Sequence, residues 1–193
     1  MKEKSAGASV SARDIATAAV FTAAICVVAP FSFYIGPVPL SLATLVVYIA
    51  GGTLKPKLSV LSVFVYILIG ATGAPVFSGF RGGFHILAGP TGGFLAGYLP
   101  CAAITGLSPQ AFGAGVLKGR LSLALGMLIG TAALYTCGTA FFAVSTASPI
   151  AASVMVCVTP FLPGDALKIA AACLIIPKLR SSLGALDKSR VIR

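Results

Sequence analysis

Apolar runs follow one another along almost the whole chain, and the short breaks between them hold most of its basic residues. Crossing the hydrocarbon of a bilayer takes about 20 apolar residues, fewer where a helix stops short of an interface. Six runs approach that length, roughly 15–29, 39–54, 58–72, 89–107, 121–144 and 163–179. With 58% hydrophobic and 9% charged residues and a mean hydropathy of +1.02, the chain lies outside the range of soluble domains. The expectation is an all-α integral membrane protein of six transmembrane helices. The runs leave no room for a separate soluble domain, so residues 1–193 read as a single membrane-embedded domain. The connection 145–162 is apolar as well, but Pro149, Pro160 and Pro163 interrupt it, and a re-entrant or interfacial element is expected there.

Lys and Arg accumulate in short cytoplasmic loops, and here they fix an orientation. Lys2, Lys4 and Arg13, then Lys55 and Lys57, then Lys118 and Arg120, then Lys178, Arg180, Lys188, Arg190 and Arg193 fall on one side if the runs alternate. That leaves only Arg81 and Lys168 of the 14 basic residues. Both termini are therefore expected in the cytoplasm, and the even number of spans agrees. A net charge of +10 would fit nucleic acid, but no basic stretch is interleaved with aromatics, so nucleic acid is excluded as a partner. Cys26, Cys101, Cys137, Cys157 and Cys173 lie in or beside apolar runs without metal-ligand spacing and read as small buried hydrophobes rather than a metal centre.

The two basic exceptions meet the chain's rarest group, an acid inside the apolar part. Asp165 and Lys168 stand about one turn apart on one face of a helix that Pro163 can open. Ionisable groups near the membrane interior are costly and usually line a ligand or ion path; an interfacial ion pair with a snorkelling lysine is the plainer alternative. Arg81 lies in an external loop of the same side, where the N-termini of the second, fourth and sixth helices also favour an anion. Thr44 and Tyr48, i and i+4, share a face at similar depth. The stretch from Phe77 to His85, with Phe80 and Arg81, is an aromatic, glycine-rich loop able to cover a pocket, and His85 in it reads as structural. Gly92 and Gly93 open the fourth run, where glycine permits close approach either of backbone to ligand or of helix to helix. Ala12, Ala16, Ala19 and Ala23 give the first helix a small-residue face. HExxH, GxSxG and the P-loop GxxxxGK[ST] are all missing from the sequence, so ATP dependence would need another chain.

Four separated motifs carry a family resemblance: Gly36-Pro37-Val38-Pro39-Leu40-Ser41-Leu42-Ala43-Thr44, Gly70-Ala71-Thr72-Gly73-Ala74-Pro75-Val76-Phe77, Gly89-Pro90-Thr91-Gly92-Gly93 and Pro160-Phe161-Leu162-Pro163-Gly164-Asp165-Ala166-Leu167-Lys168. In this order they make the chain resemble the BioY-type biotin-binding S components of energy-coupling factor (ECF) transporters, over about 19–179. The resemblance implies a non-enzymatic capture subunit in a prokaryotic cell membrane that takes biotin from outside as its transported ligand, without a resident cofactor. It also implies association with a transmembrane coupling protein and two cytoplasmic ATPases. Asp165 and Lys168 would help hold the ligand, and Ala19 and Ala23 would face the coupling protein. One departure is Ala43-Thr44 where the family often has Gln-Thr, which leaves Thr44 but removes an amide at 43. Biotin's carboxylate suits Lys168 or Arg81, its ureido N–H groups suit Asp165, and its thiophane and chain suit Phe77, Phe80 and Tyr48. Two alternatives are a thiamine- or riboflavin-binding relative and an integral-membrane enzyme using Asp165 as acid or base; a third is a purely structural membrane subunit.

Overall fold

Ser11 begins the first helix with a capping box: its hydroxyl accepts from the helix backbone while Asp14 reaches back to the Ser11 N–H. Helix α1 (Ala12–Val28) thus starts three residues before the apolar run does. The computed structural model describes residues 11–35, 38–111 and 116–188. Lys2, Lys4, Arg190, Arg193 and the Gly36-Pro37 pair of the first motif lie outside the described residues.

The second run departs from expectation. A helix from Pro39 was expected, whereas β1 (Ser32–Ile35) and β2 (Val38–Ser41) pair antiparallel with Phe33 opposite Leu40 and Ile35 opposite Val38. The reason is local: Pro39 holds Val38 extended, and as a residue without an N–H it is tolerated on a two-stranded ribbon that has free edges. Helix α2 (Ala43–Thr53) therefore has 11 residues, a rise of about 16 Å against a hydrocarbon core of roughly 30 Å.

Pro56 occupies the first turn of α3 (Pro56–Ala71), where its missing N–H costs nothing. The short α4 (Phe84–Ala88), α5 (Gly92–Ala111) and α6 (Val116–Thr146) follow. The connection 145–162 contains an eight-residue helix, α7 (Ile150–Cys157), which meets α8 (Leu162–Lys188) at 51°. Helix α5 packs along α6 and also carries α2 and α3; α1 lies on α3, and α8 closes on α2.

Polarity is arranged for a bilayer. Val20, Val27, Leu128, Ile129 and Leu174 point outward, while Ser59, Ser62, Thr22 and Thr105 are buried. The Ser62 hydroxyl donates to the Ala18 carbonyl at 3.0 Å and the Thr22 hydroxyl to that of Ser62 at 3.0 Å. Hydroxyl-to-carbonyl bonds of this kind join helices where apolar burial cannot. Among the described residues, Gly119–Thr146 is long and apolar enough to cross a membrane alone, α7 and α8 qualify together as a bent pair, and Ala43–Thr53, Pro56–Ala71 and Gly92–Ser108 are apolar but shorter.

Candidate ligand-binding site

The starts of α2, α5 and α8 converge on one cavity, completed by β2, the 77–81 loop, α6 and the end of α7. It is open at its mouth, and counting the solvent there it holds about 670 Å³ of empty space. Phe77, Phe94, Leu95, Leu134 and Phe161 make its apolar wall; Ser41, Thr44, Tyr135, Asp165 and Lys168 form a polar patch; Arg81 stands at the mouth.

The polar patch follows from the start of α8. Pro163 sits in the first turn and Asp165 follows it, where a carboxylate is favoured by the helix dipole. One turn on, the Lys168 ammonium donates to Asp165 Oδ1 at 2.9 Å, to the Thr44 hydroxyl at 2.8 Å and to the Ser41 carbonyl at 2.8 Å. The Tyr135 hydroxyl donates to Asp165 Oδ2. Both charged side chains are less than a tenth exposed. The second layer is satisfied in turn: Thr44 donates to the Ser41 carbonyl at 3.2 Å, and the Ser41 hydroxyl donates to the Ala29 carbonyl at 3.0 Å while accepting from the Ala43 N–H at 3.0 Å. The pair is therefore a buried joint between α8, α6 and the hairpin end of α2, and not an ion pair exposed at the interface.

Arg81 is held by a tight turn. Phe77 N–H donates to the Arg81 carbonyl at 2.8 Å and Arg81 N–H returns the bond at 3.4 Å, with Gly79 at φ 72° and Phe80 at φ 58° between them. A left-handed backbone is costly for phenylalanine. Two contacts offset it: the Gly79 N–H donates to the Pro30 carbonyl at 3.0 Å, and the Phe80 ring lies edge-on to Phe31 with centroids 5.4 Å apart.

These positions sort the candidate residues. Asp165, Lys168, Thr44, Phe77 and Arg81 line the cavity. Phe80 does not: it is 60% exposed, turned away onto Phe31, and acts on the site by holding the Arg81 turn. Tyr48 does not either. It is fully buried behind the wall, donating to Thr131 at 2.5 Å, since Thr131 gives its own proton to the Met127 carbonyl. Gly92 and Gly93 are packing residues. A Cβ on Gly92 would sit 1.8 Å from the Leu87 carbonyl oxygen, and one on Gly93 would sit 2.3 Å from the Phe141 Cβ of α6. His85 is exposed on α4. Ala19 and Ala23 lie outside the site, exposed on the outer face of α1 with Ala12 and Ala16. Tyr135 was missed by the sequence reading. Its one signal is the i, i+4 pair Thr131 and Tyr135, two hydroxyls on one face in the middle of an apolar run.

The BioY family model matches residues 1–185. The probable biotin transporter BioY of Pyrococcus horikoshii is 36% identical over 171 residues, covering 89% of this chain and 98% of that protein. The biotin transporter BioY of Thermotoga maritima is 34% identical over 171 residues, covering 87% and 96% respectively. A crystal structure of the S-component for biotin from an ECF-type ABC transporter superposes with a TM-score of 0.78 at 25% identity, over 88% of this chain and 91% of that one. With the family model spanning nearly its whole length and relatives aligned almost end to end, this membrane protein belongs to the BioY family.

Proposed function

We propose that the chain captures biotin as the S subunit of an ATP-driven ECF-type importer in a prokaryotic cell membrane. The supporting observation is a cavity with a buried acceptor at one end, a cation at its mouth and an apolar wall between, in a chain whose relatives are named biotin transporters. Ureido N–H groups would meet Asp165, the thiophane and chain would lie on Phe77, Phe94 and Phe161, and the carboxylate would meet Arg81. Lys168 is disfavoured for the carboxylate because its three protons already have three protein acceptors. Calorimetric titration of the purified chain with biotin, thiamine and riboflavin tests the reading. Binding of biotin at micromolar concentration or below supports it; heat with another vitamin alone, or with none, overturns it.

In this reading the chain has six spans and both termini in the cytoplasm, which the distribution of basic residues supports. A cysteine at position 81 is expected to react with an impermeant thiol reagent on intact cells, and one at 56 is not. The reverse pattern would turn the site to the cytoplasm.

The chain itself is proposed to be a transport subunit without catalysis, paired with a coupling protein and two ATPases, since it carries no P-loop. The outward alanines of α1 suit close approach of another helix. Leucine at Ala19 or Ala23 is expected to reduce co-purification with the coupling protein while leaving biotin affinity unchanged. Loss of binding as well would assign these alanines to internal packing.

A further inference from the structure

We infer that Tyr135 is a specificity-determining residue: by giving its proton to Asp165 it leaves the Asp165–Tyr135 edge of the cavity wall with acceptors only, so that this part of the wall selects a ligand end bearing N–H donors. The inference deepens the biotin reading and rests on it. It comes from a count of protons. Lys168 has three donors, and they go to Asp165 Oδ1, the Thr44 hydroxyl and the Ser41 carbonyl. The Thr44 proton goes to the Ser41 carbonyl, and the Ser41 proton goes to the Ala29 carbonyl. The Tyr135 proton goes to Asp165 Oδ2. An ionised carboxylate has about four acceptor sites and a hydroxyl oxygen two, so Asp165 and Tyr135, which both line the cavity, keep lone pairs but no proton for a ligand.

Such a wall accepts a ring N–H and repels an ether or carbonyl oxygen in the same place. Discrimination by hydrogen bonding is strong because the mismatched ligand leaves buried groups unpaired. Tyr135 contributes twice, as an acceptor itself and as the clamp that fixes the Asp165 carboxylate plane together with Lys168. Its closed ring of partners also explains how a site containing an ammonium can favour a neutral donor group over an anion: the charge is already matched inside the wall.

The test uses the full chain with biotin and the two cyclic carbamate analogues of biotin, in each of which an oxygen replaces one ureido N–H. Wild type is expected to bind the weaker carbamate roughly 10- to 100-fold less tightly than biotin. In Tyr135→Phe biotin affinity falls about 10-fold, and its advantage over that carbamate shrinks to a few-fold. Asp165→Asn with Tyr135 intact narrows the same gap, because the amide donates to the Tyr135 oxygen and turns the phenolic proton into the cavity; this arm decides the matter if Tyr135→Phe does not fold. Equal losses for biotin and carbamate in Tyr135→Phe, or no loss, or an unaltered gap in Asp165→Asn, would reduce Tyr135 to packing and overturn the inference. Failure of wild type to bind biotin would overturn the biotin reading instead.

Discussion

Lys168→Met is expected to lower the stability of the ligand-free protein by about 3–5 kcal/mol, the range for removing one partner of a buried ion pair. The substitution keeps an unbranched chain of similar length but leaves Asp165 charged, less than a tenth exposed, and held by Tyr135 alone. It also strips the Ser41 carbonyl and the Thr44 hydroxyl of a donor. The double variant Asp165→Asn, Lys168→Met removes the charge with its partner and is expected to recover much of the loss, because replacing both members of a buried pair is often close to neutral. The chain has no tryptophan, so melting is best followed with a fluorogenic thiol reagent that reports Cys101 and Cys157, both fully buried, in a background where the more exposed Cys26, Cys137 and Cys173 are replaced by alanine. A fall on the order of 10 °C is expected for the single variant, and an equally unstable double variant would show that uncompensated charge is not the cause. The same variant tests where the ligand acid goes: the preference for biotin over biotin amide should survive Lys168→Met and collapse in Arg81→Met. The opposite result would return the carboxylate to Lys168.

How far such a site can be read from sequence is shown by the elements around it. The charge and proline breaks placed α3 and α5 and the start of α8 within a few residues, because in a bilayer the helix is the default for any uncharged run; α6 begins five residues before the expected 121, and α8 runs nine residues past the expected 179 into the basic segment. The same default hid the hairpin. Val38 to Ser41 is apolar enough to pass as the start of a span, and only the spacing of Pro37 and Pro39 argues for extended chain. The error matters, since it is the hairpin that leaves α2 short and gives the cavity one of its walls. Asp165 and Lys168 were legible because a charge in an apolar helix must find partners. Their partners were not: Tyr135 and the Ser41 carbonyl come from elements distant in sequence, and nothing in a single sequence says which hydroxyl will be opposite. Thr44 and Tyr48 show the limit of face arguments. They share a face, but four residues of helix displace them by about 6 Å along the axis, and Thr44 lines the cavity while Tyr48 is buried against Thr131. Gly92 and Gly93 show another, since glycine for helix contact and glycine for ligand approach look the same until the Phe141 side chain is seen against Gly93.

Asp165→Ala is expected to cost about 2–4 kcal/mol of biotin affinity, a factor of roughly 30 to 1000. The step follows from what the side chain does in the cavity: it is a buried acceptor held by Lys168 and Tyr135, and a ureido N–H brought against it replaces bonds to water that the ligand has given up. With alanine the ligand N–H stays unpaired in a dry site, and the Lys168 ammonium keeps only the Ser41 carbonyl and the Thr44 hydroxyl. Asparagine keeps an oxygen for Lys168 and most of the shape, so Asp165→Asn should cost less than Asp165→Ala. A purely structural joint predicts a different pattern: both variants melt at lower temperature without ligand, yet the folded fraction binds biotin as wild type does. Titrations run well below the melting point of each variant separate the two. Affinity that falls in the order wild type, asparagine, alanine assigns Asp165 to the ligand, whereas unaltered affinity in a destabilised alanine variant would assign it to the joint between α8, α6 and α2 and move the ureido ring elsewhere in the cavity.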